Sequence, residues 1–202
     1  MPPINPSNLS PYKKHSTKWK ACKLCSLCST RTNVCIARGS VPADILLIGD
    51  APGPSEDIIG RPFIGPAGKL LDAIVGQVFD GQFDLCFTNL VGCMPINEDS
   101  GTKFTEPSKE CIKACNPRLI ELIRLVKPKA VVLVGKVAKQ SIIGQADFAD
   151  LPEGNCSWLR KNEYIWFADI IHPAVILRMD LSQQSLAIRR CVASLEDLTA
   201  HL

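Results

Sequence analysis

Residues 44–71 read DILLIGDAPGPSEDIIGRPFIGPAGKLL. The stretch begins with a short apolar run ending at Gly49, which is typical of a buried strand. Its last residues begin a segment, 67–79, whose leucines, isoleucine and valines recur at helical spacing. Between the two, the chain places an acid at once, Asp50, and then many glycines and prolines, which favour turns. The stretch therefore predicts a strand, a stiff loop and a helix in sequence.

The same alternation of strand and helix continues along the chain. Three further apolar runs predict strands, at 84–91, 130–135 and 164–170. Three further helices are expected, within 108–126, at 136–144 and from about residue 182. Asn116 and Pro117 either begin the first of these helices or mark a kink inside it. Because the strands are apolar throughout, we expect a three-layer α/β/α fold around a central four-stranded, mostly parallel sheet.

Length and composition indicate one compact domain. The chain has 202 residues, of which 46% are hydrophobic and 21% charged, and a net charge of +3. Residues 1–20 are rich in proline, serine and lysine and are expected to form a loose basic arm before a single domain at 21–202. No apolar run approaches the ~20 residues of a membrane span, and no apolar stretch follows the first lysines as in a signal peptide. Ten cysteines without a secretion signal then indicate thiols or metal ligands in a reducing cytoplasm.

Polar side chains follow the predicted strands where each strand ends. Asp50, Asn89 and His172 hold these positions. In open α/β sheets, ligands bind at the carboxyl ends of the strands, so these side chains predict one site. A phosphate site fits poorly, because Lys69 is followed by Leu70 rather than Ser or Thr, and the acids of the loop would repel phosphate.

The loop resembles the first motif of the iron–sulfur (family four) branch of the uracil-DNA glycosylase superfamily. That motif is G-E-A-P-G followed by G-R-P-F-x-G-x-A-G-x-L-L, and the matching residues are Gly49-Asp50-Ala51-Pro52-Gly53 and then 60–71. Further matches follow in the same order, at Thr88-Asn89-Leu90-Val91, Cys93, His172-Pro173-Ala174 and Arg178. The resemblance covers roughly residues 20–200. It implies a monomeric enzyme that flips uracil out of DNA and hydrolyses its N-glycosidic bond.

The resemblance gives the site residues roles that their chemistry suits. Phe63 offers a flat face for stacking, and the amide of Asn89 both donates and accepts, as the uracil edge requires. His172 can stabilise the departing uracil anion, and Asp50 can orient water and stabilise the cationic sugar. The family pattern further implies uracil contacts from Ala51 and Gly53, and DNA contacts from Arg61, Gly65, Leu177 and Arg178.

One departure from the family pattern concerns Asp50, where the family has Glu. The carboxylate loses one methylene and would lie roughly 1.5 Å short. A misplacement of about 1 Å can cost on the order of 10²-fold in rate. Two alternatives to the uracil-DNA glycosylase hypothesis therefore stay open. One is a superfamily member that binds uracil-containing or single-stranded DNA with little or no turnover; the other is a glycosylase for another deaminated base, such as hypoxanthine.

The cysteine spacing predicts a metal centre. Cys22 and Cys25 form a CxxC pair, and Cys93 and Cys115 match the family's other two ligand positions. Spacing alone leaves a [4Fe–4S] cluster and zinc both open, and the resemblance implies the cluster.

The other six cysteines are either rivals for a ligand position or expected core residues. Cys28, Cys35 and Cys111 are rivals for a ligand position, since Cys28 makes a second CxxC and Cys111 lies one helical turn from Cys115. Cysteines in apolar surroundings are expected in the core, namely Cys86, Cys156 and Cys191.

Overall fold

The structure is a computed structural model that describes residues 10–96, 105–143, 156–160 and 163–202. For residues 143, 156–160, 163 and 164 it describes the backbone alone. The expected core position of the Cys156 side chain and part of the polar loop before residue 108 therefore lie outside the described residues.

Six strands form one sheet among the described residues. They are β1 (Arg38–Gly39), β2 (Ile45–Gly49), β3 (Leu85–Asn89), β4 (Ala130–Val134), β5 (Cys156–Arg160) and β6 (Glu163–Ile170). Their order in the sheet is β1-β3-β2-β4-β6-β5, and the four central strands run parallel. The expected α/β fold with four parallel strands is confirmed.

Two edge strands were not predicted. β1 pairs antiparallel with β3, and β5 pairs antiparallel with β6. β1 has only two residues, too few to show any periodicity, and β5 (CSWLR) mixes polar with apolar residues. The sheet therefore has antiparallel edges around the predicted parallel core, as many α/β folds do.

Seven α-helices accompany the sheet in the described part of the chain. They are α1 (Pro11–Lys20), α2 (Pro54–Ile59), α3 (Pro66–Phe79), α4 (Lys109–Val126), α5 (Lys136–Ile143), α6 (Pro173–Ile176) and α7 (Leu181–Thr199). Two buried hydrophobic clusters divide the core: α4 packs in one, and α3 and α7 pack in the other. This is the expected three-layer arrangement. Ser108 caps α4 and Pro117 lies inside that helix, which decides between the two readings of Asn116 and Pro117.

The described part of the expected loose arm is a helix instead. Ser10 caps α1 by accepting a hydrogen bond from the Lys13 backbone N–H, and Pro11 occupies its first turn. His15 and Trp19, one turn apart, are buried. The Trp19 indole donates to Glu121 of α4 at 2.7 Å. Two buried rings among many lysines therefore anchor a helix that the composition did not predict. Residues 1–9 lie outside the described part, so the boundary at residue 20 stays a prediction.

The parallel register brings the predicted strand-end residues to one edge of the sheet. Gly49 pairs with Asn89 across β2 and β3. A Cβ placed on Gly135, just after β4, would lie 3.0 Å from the Cβ of His172, which follows β6. The three polar side chains therefore come from neighbouring strand ends. No helix in the described part of the chain is long and apolar enough to cross a membrane.

Candidate active site and cysteine cluster

A pocket of about 310 Å³ opens at this edge of the sheet. Its wall includes most of the residues expected to hold uracil or DNA, namely Ala51, Gly53, Phe63, Gly65, Asn89, His172 and Leu177. Asp50, Arg61 and Arg178 are not among the residues that line it. The pocket is large enough to take a small flat ligand, with polar groups at a few positions on an otherwise mainly apolar wall.

Asn89 presents an unused acceptor in this pocket. The residue is 2% exposed, and its Oδ1 has no hydrogen-bond partner among the described residues. An unsatisfied buried acceptor costs about 1–3 kcal/mol, and this one is available to a donor group of a molecule that enters the pocket. Gly49 makes room for this amide, since a Cβ there would lie 2.6 Å from Oδ1.

Phe63 forms one wall of the pocket in an unusual backbone conformation. Its φ is 54°, in the left-handed region that non-glycine residues rarely adopt. A Cβ on Gly68 would overlap the Phe63 carbonyl, so only glycine fits there. The turn is also held by Glu56, whose Oε1 accepts from the backbone N–H groups of Ile64 at 2.9 Å and Gly65 at 2.8 Å. The ring is thus positioned by backbone geometry and by a buried carboxylate.

His172 is held by a backbone hydrogen bond and has a lowered pKa in this setting. It caps α6, with its Nδ1 accepting from the Ala174 backbone N–H at 3.1 Å. The proton of the neutral ring must therefore be on Nε2. Burial lowers the pKa of His172 to about 4, and the positive charge of Arg178 acts in the same direction. The ring lies 6.4 Å from that of Phe63, centroid to centroid.

Asp50 lies beside the pocket with its carboxylate bound to a helix. Its Oδ1 accepts from the Ala138 backbone N–H at 2.8 Å, in the first turn of α5. Burial raises the pKa of Asp50 to about 6, with a further push from the charge of Glu106, against the opposing effect of the Ala138 bond. A carboxyl that titrates near neutrality is suited to acid–base work.

Four cysteines line a second, small cavity between the chain segment that follows α1 and the middle of α4. They are Cys22, Cys25, Cys93 and Cys115, the set that the spacing and the family pattern suggested. Among the described residues, however, no three His, Cys, Asp or Glu side chains stand close enough together to hold a metal ion as they are. Burial is the main cause that raises the pKa of the Cys25 and Cys93 thiols to about 11.

The rival cysteines do not line this cavity. Cys111 is buried next to it, with Sγ 3.9 Å from the Ser26 hydroxyl, and Cys28 is partly buried. Cys35 is fully buried and donates to the backbone carbonyl of Glu56 at 3.1 Å. Cys86 and Cys191 are buried, as expected of core residues.

Two arginines direct guanidinium groups at the cysteine sulfurs. Arg31 donates to Cys93 Sγ at 3.5 Å, and Arg118 donates to Cys115 Sγ at 3.2 Å. Four thiolates around a metal or cluster form an anionic site, and two nearby cations offset that charge. The donor set and its charges therefore fit a metal centre. Sequence reasoning missed both arginines and Glu56; only Arg118 had a visible cue, because it lies on the same helical face as Cys111 and Leu122.

The fold and the pocket define the class: an α/β protein with a small-ligand site at the carboxyl ends of its parallel strands. Comparison with known proteins identifies the family. The model of the uracil DNA glycosylase superfamily matches residues 36–196. The type-4 uracil-DNA glycosylase of Pyrobaculum aerophilum is 30% identical over 79% of this chain and 81% of its own length. That of Thermotoga maritima is 30% identical over 91% of this chain and 88% of its own. The type-4 enzyme of Sulfurisphaera tokodaii is 34% identical, but the match spans 72% of this chain and only 63% of that protein.

The chain belongs to the uracil-DNA glycosylase superfamily. The relatives that it matches over most of their length carry the type-4 name, which corresponds to the iron–sulfur branch that the motifs resemble.

Proposed function

We propose that this protein is a uracil-DNA glycosylase that takes uracil out of the DNA stack and hydrolyses its N-glycosidic bond. The product is an abasic site, the starting point of base excision repair. The observation that carries the proposal is the unpartnered Asn89 Oδ1 in a pocket whose wall also holds Phe63 and the neutral ring of His172. Enzymes that act on a base must extrude it into such a pocket.

Recognition follows from the hydrogen-bonding pattern of uracil. The N3–H group of uracil donates to Asn89 Oδ1, and the Asn89 amide N–H donates to the adjacent uracil carbonyl. The base lies against the Phe63 ring. Cytosine carries no N–H at N3 and would leave Oδ1 unsatisfied, which costs about 1–3 kcal/mol. The same acceptor that is unused in the free protein therefore provides the discrimination.

Bond cleavage leaves an anionic base and a sugar with cationic character. His172 Nε2–H is the donor that stabilises the developing charge on the uracil oxygen, and removal of one such donor typically costs about 10²–10³-fold in rate. Because the ring is neutral beforehand, the donor carries no charge that would need burial in the free protein. Asp50, ionised above a pH of about 6, orients water and stabilises the sugar from the edge of the pocket.

DNA binding involves the exposed rim of the pocket. Leu177, 44% exposed at the end of α6, is placed to fill the gap left by the flipped base. Arg61 and Arg178 are exposed and available to phosphates. Gly65 lies in the pocket wall, and its DNA contact is proposed from the family pattern alone. We extend the proposal to a reducing cytoplasm, since the nine cysteines with described side chains are free. The proposal also includes the monomer that the family resemblance implies.

A [4Fe–4S] cluster completes the proposal. Cys22, Cys25, Cys93 and Cys115 would hold it, and when bound it supplies a structural tie between distant segments rather than a reaction step. Zinc remains the other metal that this donor set suits.

The test is strand cleavage of a uracil-containing oligonucleotide after alkali treatment. Cleavage by the natural protein that disappears in Asn89→Ala would support both the activity and the pocket. Matched oligonucleotides with cytosine and hypoxanthine measure the base range. Absence of cleavage on all of them, with the cluster's visible absorbance intact, would reject the proposal, and restored cleavage in Asp50→Glu would then identify the shortened acid as the cause.

A further inference from the structure

Arg118 connects the cysteine cavity to the end of strand β3. It belongs to α4 and is 1% exposed, and all three nitrogens of its guanidinium group donate hydrogen bonds. We propose that Arg118 is a positioning residue that makes the placement of Asn89 depend on the metal centre. This inference rests on the proposed function for the meaning of Asn89 and of the cysteine cluster, but not for the contacts themselves.

One side of the guanidinium meets the proposed cluster. Its Nε donates to Cys115 Sγ at 3.2 Å. When a cluster is bound, the cysteine sulfur carries part of the negative charge of the centre. This negative charge stabilises the buried guanidinium cation of Arg118. When the cluster is lost, that part of the negative charge is lost with it. A buried cation whose partner is removed is strongly destabilising, so the neighbourhood must rearrange.

The other side of the guanidinium holds the strand end. Its Nη2 donates to the backbone carbonyl of Asn89 and to that of Leu90, the latter at 3.0 Å, and its Nη1 donates to the Thr88 hydroxyl at 3.2 Å. These three consecutive residues include the proposed uracil reader. A shift of Arg118 would therefore move the backbone that carries the Asn89 amide, and small shifts at such positions cost much of the binding discrimination.

Arg31 provides a matched control. It also donates to a cysteine sulfur of the cavity, Cys93, and its other contact is the Cys22 backbone carbonyl at 2.6 Å. Among the described residues it makes no hydrogen bond to β3. Arg31→Met and Arg118→Met therefore each remove one cation from the metal centre with the same substitution, but only the second should alter the strand end.

The first experiment measures amide hydrogen exchange and needs no substrate. The Leu90 and Val91 N–H groups donate to the Gly49 carbonyl at 2.8 Å and the Asp50 carbonyl at 3.3 Å, and they report on this strand end. We expect exchange at both to speed up when a chelator removes the metal from the natural protein. Arg118→Met should exchange fast with or without metal, and Arg31→Met should behave like the natural protein. The proposal would be overturned if these two amides were equally protected from exchange in all three metal-loaded proteins. It would also be overturned if metal removal left their exchange in the natural protein unchanged.

The second experiment measures base preference by binding. The probes are oligonucleotides with one 2′-fluoro-2′-deoxyuridine or its cytosine counterpart, since the two bases differ at the edge that Asn89 contacts and the fluorine destabilises the cationic sugar and slows cleavage. In metal-loaded protein we expect the preference for uracil over cytosine to fall about 10–100-fold in Arg118→Met and to stay within about twofold in Arg31→Met. Equal losses in both variants, or no loss in Arg118→Met, would contradict the coupling.

The two proposals can fail separately. If the natural protein shows no preference for uracil, the proposed function fails, and amide exchange still decides the coupling. If the natural protein holds no metal at these cysteines, the coupling is overturned together with the cofactor. Where Arg118→Met does not fold, Arg118→Lys replaces it: lysine keeps the charge but cannot reach the sulfur and the carbonyls at once.

Discussion

His172 is the residue whose charge state most sharply tests the mechanism. With a pKa of about 4, only about one molecule in a thousand carries an imidazolium at pH 7. If the neutral ring is the working donor, the rate of the chemical step should not depend on His172 ionisation anywhere between pH 6.5 and 8.5. If the imidazolium were the working form, the rate would fall about tenfold for each pH unit across that window.

Single-turnover cleavage of a uracil-containing oligonucleotide, measured across this pH window, separates the two cases. Excess enzyme removes product release from the observed rate. We expect a flat profile, because Asp50, with a pKa of about 6, is already largely ionised at its lower end. A tenfold fall per pH unit would refute the assignment of a neutral donor.

Two substitutions at His172 separate its capping role from its donor role. His172→Asn keeps an acceptor near the Nδ1 position, so it retains the bond from the Ala174 N–H, but it removes the Nε2 donor. We expect its rate to fall about 10²–10³-fold with little change in thermal stability. His172→Gln brings an amide N–H toward the Nε2 position and should retain more of the rate than Asn. An Asn variant within a few-fold of the natural rate would show that the ring donates nothing to the reaction.

Three further predictions concern the pocket wall, the acid and the ligands. Gly49→Ala should lower uracil cleavage about 10²-fold at unchanged DNA affinity, because its Cβ would displace the Phe63 ring; equal losses in both would contradict it. Since the folded-state pKa of Asp50 is raised, its contribution makes stability fall as the pH rises from about 4 to about 6. Asp50→Asn should therefore raise the free energy of unfolding at pH 7 by about 3 kcal/mol, as denaturant titration will measure, and the gain should vanish near pH 4. Cys115→Ser should lose bound iron whereas Cys111→Ser keeps it, as measured by iron content per protein and by visible absorbance. The reverse result would make Cys111, not Cys115, the ligand.

The parallel core of the sheet could be predicted because burial on both faces leaves a plain mark on a sequence. β2 and β4 are apolar at every position, and no helical period competes with that pattern. The strand-end rule then selected Asn89 and His172, which the structure places in one pocket. The superfamily resemblance added Phe63 and the four cysteines.

The remaining features depend on contacts between distant segments, which local patterns do not record. The direction of the Asp50 carboxylate depends on α5, almost ninety residues away in sequence. Glu56 read as one acid among several in a polar loop, although its carboxylate holds the turn that carries Phe63. The helix α1 is anchored by Trp19 on Glu121, a pairing between segments about a hundred residues apart.

The backbone-built wall around Phe63 also restricts how this gene can change. Gly49 and Gly68 stand where a single added carbon would meet the ring, the amide of Asn89 or the Phe63 carbonyl. Every missense change in a glycine codon adds at least that carbon. No substitution at these two positions is therefore neutral. The aromatic wall can change in evolution only after substitutions elsewhere have altered the backbone of this turn.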